Sequence, residues 1–234
     1  MGHREGDRFR EGDTPFCTAI RIERSTFATI IADLAAQGWA VSNDFLPPDA
    51  VSALADEARG LWAADRFRQA AVGGGSGHAV RLDIRGDRIT WLDEHSLTPI
   101  QARYWAEIEA LRGALNQELF LGLESFEAHL AVYPPGAFYQ RHLDRPATSD
   151  TRVISCSLYL NTGWRVEHGG QFRLYLTEGH VDIPPCVGTF VVFRSDTVFH
   201  EVLPAAQLRF SLTGWYRRRS LQDFFGIDRR NSEK

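Results

Sequence analysis

Apolar residues recur at helical spacing in the first half of this chain and fall into short runs broken by turn residues in the second. From Ser25, the residues Phe27, Ile30, Ile31 and Leu34 mark one helical face, and Gly38 after Gln37 supplies a stop. A second helix is predicted after Pro47 and Pro48, with Val51, Leu54, Ala55 and Ala58 on its buried side. A third opens near Thr98 and Pro99 and carries Tyr104, Ile108, Leu111 and Leu115. Between the second and third lies AVGGGSGHAVRLDIRGDRITWLD, whose glycines at 73–77 predict a mobile finger. No P-loop Lys-Ser/Thr follows those glycines and they open no helix, which disfavours a phosphate cradle.

After Gly122 come EAHLAVY, FYQRHLD, RVISCSLYL, GQFRLYL, GTFVVFRS and QLRFSLTGWY, each the length of a strand. The expected fold class is α+β, a double-stranded β-helix (jelly roll, cupin-like) core with supporting N-terminal helices. The helical support is placed at about 25–120 and the jelly roll at about 126–217, in a single domain over 21–219. Residues 1–20 are read as a flexible start and 220–234 as a tail.

A hydrophobic fraction of 44% and an aromatic content of 12% suit a folded globular chain. The net charge of -4 argues against a general nucleic-acid binder, and the one dense basic run, Arg217 to Arg219, reads as a solvated strand end. Cys17, Cys156 and Cys186 are widely spaced without a C-x-x-C pair, so neither a disulfide framework nor a zinc knuckle is expected. The charged first residues and the lack of a long apolar run lead to an expectation of a cytoplasmic protein with no membrane partner. Nothing in the pattern sets an oligomeric state.

Candidate chemistry centres on FYQRHLD, where strand alternation sets His142 and Asp144 on one face with Leu143 opposite. His200, in SDTVFHEV, supplies a third ligand from a later strand. Two imidazoles and one carboxylate on one side of a metal form the facial triad of non-haem iron(II). Arg209 follows in RFSLTGWY, sharing a strand face with Ser211, Thr213 and Trp215. A metal beside a buried arginine suits a dicarboxylate such as 2-oxoglutarate, because the guanidinium fork stays charged and binds a carboxylate bidentately. Tyr159 and Thr213 can add hydroxyls. Tyr133 and Tyr139 flank the loop YPPGAFYQRH near the same cavity, and His129 reads as a core histidine.

With IRGDRITWL at 84–92, YPPG at 133–136, YQRHLDRP at 139–146, SLYLN at 157–161, Gly169-Gly170, and FHEVLPA through RFSLTGWY, the chain resembles the EGL-nine type of prolyl hydroxylase, a branch of the iron(II)/2-oxoglutarate oxygenases. The resemblance implies that His142, Asp144 and His200 bind Fe(II). It implies that Arg209, Tyr159, Thr213 and Tyr133 hold 2-oxoglutarate, with O2 as co-substrate and ascorbate as an accessory. It places Arg85, Asp87, Trp91, Arg152, Tyr139 and Trp215 on the substrate side, with Arg152 an ionic partner for Asp87. The implied substrate is a proline in a protein or peptide, elongation factor Tu for a bacterial member. From the residues alone, other readings stay open: a keto-acid-independent cupin-like dioxygenase or isomerase, a non-catalytic barrel, and an oxygenase acting on another residue or a small molecule.

Overall fold

The computed structural model describes residues 27–71, 79–145 and 151–220. The glycine-rich tip at 73–77, the expected flexible start and all but the first residue of the tail lie outside them. The first helix, α1 (Phe27–Gln37), buries Ile30, Ile31 and Leu34. It stops at Gly38, which takes a φ of +83° and donates its N–H to Leu34 O at 3.0 Å. Helix α2 (Pro48–Ala63) starts with proline in its first turn and buries Val51, Leu54, Ala55 and Ala58. Helix α3 (Pro99–Leu119) begins in a capping box between Thr98 and Gln101. Glu57 of α2 accepts hydrogen bonds from both of those side chains, at 2.7 and 2.6 Å, so the cap also joins the two helices.

The strands are β1 (Trp39–Ser42), β2 (Arg68–Gln69), β3 (Arg88–Trp91), β4 (Leu123–Tyr133), β5 (Tyr139–His142), β6 (Arg152–Tyr159), β7 (Phe172–Tyr175), β8 (His180–Ile183), β9 (Phe190–Arg194), β10 (Phe199–Val202) and β11 (Arg209–Arg218). Two antiparallel sheets result: a large one in the order β1-β9-β6-β11-β4-β3-β2, and a small one in the order β5-β10-β7-β8. This is the jelly-roll arrangement expected from the run spacing. Strands β1 and β8 were not among the predicted runs. Both are four residues long, and β8 is mostly exposed, so neither carries an apolar run of its own. Strand β1 forms by pairing along β9, and β8 by pairing along β7.

Alternation along the large sheet divides its side chains between two cores. Phe126, Ala128, Leu130 and Val132 of β4, with Phe210, Leu212 and Tyr216 of β11, face the three helices. Ala131 and Tyr133, Tyr159, Val191 and Phe193 face the small sheet and pack on Phe172, Leu174 and Val202. The site must lie on this second side, since β11 sends Arg209, Ser211, Thr213 and Trp215 there. Asn161 fixes the start of β11 by accepting the Phe210 N–H at 2.6 Å and donating to Phe210 O at 3.0 Å.

Arg217 and Arg219 pair with Glu127 and Glu124 at 3.1 and 3.3 Å, in keeping with a solvated strand end. Cys156 is a buried free thiol, whereas Cys186 is disulfide-bonded, which the sequence expectation did not include.

Gly214 permits the close approach of β4 and β11. A Cβ there would collide with Phe126 Cζ and sit 2.7 Å from the backbone oxygen of Glu127. Gly214→Ala is therefore expected to destabilise the protein by about 1–3 kcal/mol through overpacking, read as a lowered thermal midpoint. An unchanged midpoint would show that the sheet yields without cost.

Candidate active site

His142 on β5 and His200 on β10 are direct cross-strand partners, which sets their ring centres 4.2 Å apart. Asp144 completes the group differently from the sequence expectation. Strand β5 ends at His142, so alternation does not place Asp144; a bend does. That bend is held where Arg145 N–H donates to Ser195 O at 3.0 Å. Asp144 Oδ1 then lies 3.5 Å from His142 Nε2 and 3.6 Å from His200 Nε2. One ligand atom from each residue fits within 4.8 Å of the others.

Both imidazoles face a backbone carbonyl with Nδ1: His142 donates to Gln140 O at 2.7 Å and His200 to Val198 O at 3.1 Å. A carbonyl only accepts, so Nδ1 carries the proton and Nε2 keeps its lone pair for a metal. Burial, followed by the nearby His200 imidazole, lowers the His142 pKa and favours the neutral ring. Burial alone would raise the Asp144 carboxyl; the imidazoles of His200 and His142 reverse that and hold it well below the ordinary carboxylate range. A carboxylate oxygen and two imidazole Nε2 atoms make a donor set that suits a divalent cation.

Deeper in the barrel Arg209 is 1% exposed. Its Nε donates to Gly170 O at 2.8 Å, and its guanidinium carbon lies 5.1 and 4.9 Å from the ring centres of Tyr133 and Tyr159. Among the described residues no carboxylate forms an ion pair with it. The buried Tyr159 hydroxyl has no hydrogen-bond partner either, and burial raises its pKa above the ordinary phenol value. Ser157 Oγ and Thr213 Oγ1 lie 2.9 Å apart beside them. A buried cation with free donors, next to an orphaned hydroxyl, is costly unless an anion joins them. These residues fit a carboxylate-bearing ligand that also reaches the metal.

Gly170 is a residue whose contribution spacing arguments did not reach. A Cβ at this position, where φ is +67°, would lie 2.9 Å from Ala205 Cβ and 3.2 Å from Arg209 Cδ. The Gly169-Gly170 pair was visible as a motif, but its use as space for the Arg209 stem depends on packing across the sheets.

The remaining candidates fall into two groups. Asp87 is fully buried and is gripped by Arg85 through Nε to Oδ1 at 2.7 Å and Nη2 to Oδ2 at 2.5 Å. Arg85 also lies 4.3 Å from the Tyr139 ring centre. The expected pairing of Arg152 with Asp87 is not formed. Arg152 instead donates to Glu127 Oε1 at 2.9 Å and lies 3.7 Å from a Trp215 ring centre, because β6 sets it opposite Arg217 of β11, which shares Glu127. Trp91 is 53% exposed and meets buried His129 edge-on at 5.0 Å, while Trp215 lies 5.3 Å from the same imidazole and 6.2 Å from Trp91. Among the described residues His129 Nδ1 has no hydrogen-bond partner, so the core histidine is also an aromatic filler beside the two tryptophans.

A jelly roll that brings two histidines and an aspartate to one point, with an unpaired arginine below, defines a non-haem metal oxygenase site. The 2OG-Fe(II) oxygenase superfamily profile matches residues 128–217, which contain all four residues. Among solved structures, a Pseudomonas putida prolyl-4-hydroxylase is 48% identical, with a TM-score of 0.76 over 83% of this chain and 100% of that one. A Trichoplax adhaerens prolyl hydroxylase, solved with a hypoxia-inducible-factor peptide, is 26% identical, with a TM-score of 0.73 over 82% of this chain and 88% of that one. Human Egl nine homolog 1 is 30% identical across 189 residues, 76% of this chain and 43% of that protein. The chain thus spans about half the length of the Egl nine homolog 1 proteins it matches. The chain belongs to the 2OG-Fe(II) oxygenase superfamily, and within it is similar to the Pseudomonas prolyl-4-hydroxylase and to the Egl nine proteins.

Burial lowers the His129 pKa to about 3 against an ordinary value of 6.5. Below pH 6.5 the unfolded chain takes up a proton that the folded chain refuses, so stability is intact above 6.5 and is lost as pH falls toward 3. In chelator-treated protein, His129→Phe should remove about 2 kcal/mol of the wild-type loss between pH 7 and pH 5, measured by urea unfolding. Parallel pH profiles would overturn this origin for the acid sensitivity.

Proposed function

We propose that this protein is an Fe(II)- and 2-oxoglutarate-dependent dioxygenase that hydroxylates a prolyl residue in a protein substrate. The observation that carries the reading is Arg209, a buried guanidinium lacking a carboxylate partner among the described residues, set below a two-histidine, one-carboxylate cluster. A metal site alone would suit a keto-acid-independent enzyme. The uncompensated charge calls for a dicarboxylate.

In this reading His142 Nε2, His200 Nε2 and one Asp144 oxygen hold one face of the metal. Arg209 and the Tyr159 hydroxyl bind the far carboxylate of 2-oxoglutarate, while Thr213 and Tyr133 complete its walls. Phe172, Val191 and Phe193 line the space between and exclude water. When bound, iron with 2-oxoglutarate and O2 supplies the oxidising power to hydroxylate an unactivated carbon, with succinate and CO2 as co-products. At the opening, half-exposed Trp91 gives a flat apolar surface suited to a pyrrolidine ring. The protein positions the substrate and shields it.

The solved relatives support proline as the target, since two of them are prolyl hydroxylases and one of these was solved with a hypoxia-inducible-factor peptide. Elongation factor Tu is the first protein to test, on the strength of the family resemblance. A cytoplasmic location and ascorbate as an accessory reductant belong to the same reading.

Incubation with Fe(II), 2-oxoglutarate and elongation factor Tu should give succinate together with one added oxygen on a proline by tandem mass spectrometry. Oxygen consumption that ignores 2-oxoglutarate would overturn the class, and oxygen added only to other residues would overturn the prolyl assignment. Arg209→Ala should weaken 2-oxoglutarate binding at least a hundredfold, the equivalent of about 3 kcal/mol for leaving one partner of a buried charge pair alone. An unchanged 2-oxoglutarate titration of succinate formation would remove Arg209 from the site.

A further inference from the structure

The Arg-Gly-Asp segment of the finger, residues 85–87, is built into the small sheet beside a metal ligand. Gly86 N–H donates to Phe138 O and Gln140 N–H donates to Ile84 O, both at 2.9 Å, and Arg85 bridges to Tyr139 across the same ladder. Its far side is tied as well, because Asp87 O accepts from Ala70 N–H at 3.1 Å and from Gln69 Nε2 at 2.9 Å. Strand β5 is therefore flanked by β10 on one side and by the finger on the other.

On top of this backbone ladder lies a column of side chains. The Tyr139 ring stacks on the His142 imidazole with centres 3.6 Å apart and planes 18° from parallel. The Arg85 guanidinium lies 4.3 Å from the same Tyr139 ring centre, and fully buried Asp87 holds that guanidinium with two hydrogen bonds. The order is carboxylate, guanidinium, phenol ring, imidazole.

We infer that Arg85 and Tyr139 are positioning residues for the metal ligand His142, so that the finger and the metal site are energetically coupled. The inference rests on the metal-site reading given above. Its physical basis is twofold. The Gln140 carbonyl fixes which His142 nitrogen carries the proton, but one hydrogen bond leaves the ring free to swing about its Cβ–Cγ bond. The parallel Tyr139 ring closes off that motion and aims Nε2. A Tyr face also attracts positive charge, so a ring between the guanidinium and a metal-bound imidazole is favoured on both sides once the metal arrives. This assigns Arg85 and Tyr139 a task other than touching substrate, and it uses the guanidinium that Asp87 already occupies.

Linkage then requires reciprocity: if an ordered finger tightens metal binding, the metal must order the finger by the same factor. Co(II) is the probe, titrated into chelator-treated full-length protein and followed by its visible absorption. Wild-type protein should bind Co(II), and His142→Ala should not. Failure of wild type to bind would overturn the metal-site reading itself. With wild-type binding established, Tyr139→Leu should weaken Co(II) about tenfold to a hundredfold, the range for partners that orient a ligand. Tyr139→Phe, which keeps the ring, should stay within about twofold, and Arg85→Ala should fall between the two. Tyr139→Leu that folds, by thermal melting, and binds Co(II) as wild type does would overturn the inference while leaving the metal site standing.

Hydrogen exchange on the wild-type chain tests the reciprocal side and stands whether or not the leucine variant folds. The Gly86 and Gln140 amides should exchange more slowly with Co(II) bound than without it. Equal exchange rates at both amides would overturn the coupling.

Discussion

A positive charge sealed inside an apolar barrel is the constraint on which the rest of this molecule depends. Arg209 reaches the core because β11 is held at its start by Asn161 and because Gly170 leaves room for its stem. Such a charge cannot be left bare without loss of stability, and the surrounding protein gives it two aromatic faces and a single carbonyl. The two tyrosines soften the cost of burial without discharging it. The fold is thereby adapted to a state in which an anion is present, and the metal cluster above sets where the other end of that anion must lie.

The sheet makes this arrangement possible by sorting side chains. One parity of β4, β6, β9 and β11 faces the helices and is almost wholly apolar, providing a rigid backing. The other parity faces the small sheet and carries the functional residues among apolar ones. A one-residue slip in any of these strands would exchange the two sets, so the register that builds the core is also the register that builds the site.

Much of this was legible in the amino-acid sequence. The three helices begin and end close to where Gly38, Pro48 and Thr98 indicate, since caps and prolines act locally. The long strands announced themselves through alternation, whereas β1 and β8 did not, because each exists by pairing with a neighbour rather than by its own pattern. His142, Asp144 and His200 were nominated from residue type and spacing, and they do come together, while Arg209, nominated likewise, is buried against Tyr133 and Tyr159. Asp144 arrives by a bend instead of a strand, which spacing cannot distinguish. The misplaced pairing of Arg152 with Asp87 has a related cause: two oppositely charged residues far apart in sequence offer no local clue to their distance, and each found a nearer partner in Arg85 and Glu127.

The two metal-facing histidines share a local device. Each donates Nδ1–H to the carbonyl of the residue two positions earlier, Gln140 for His142 and Val198 for His200. The ligand-competent tautomer is thus written into the peptide backbone and does not depend on the side chains at 140 and 198. A substitution at either position would leave that carbonyl, and with it the proton arrangement that the metal needs, in the backbone. The chemistry is anchored in the part of the polypeptide that mutation cannot remove.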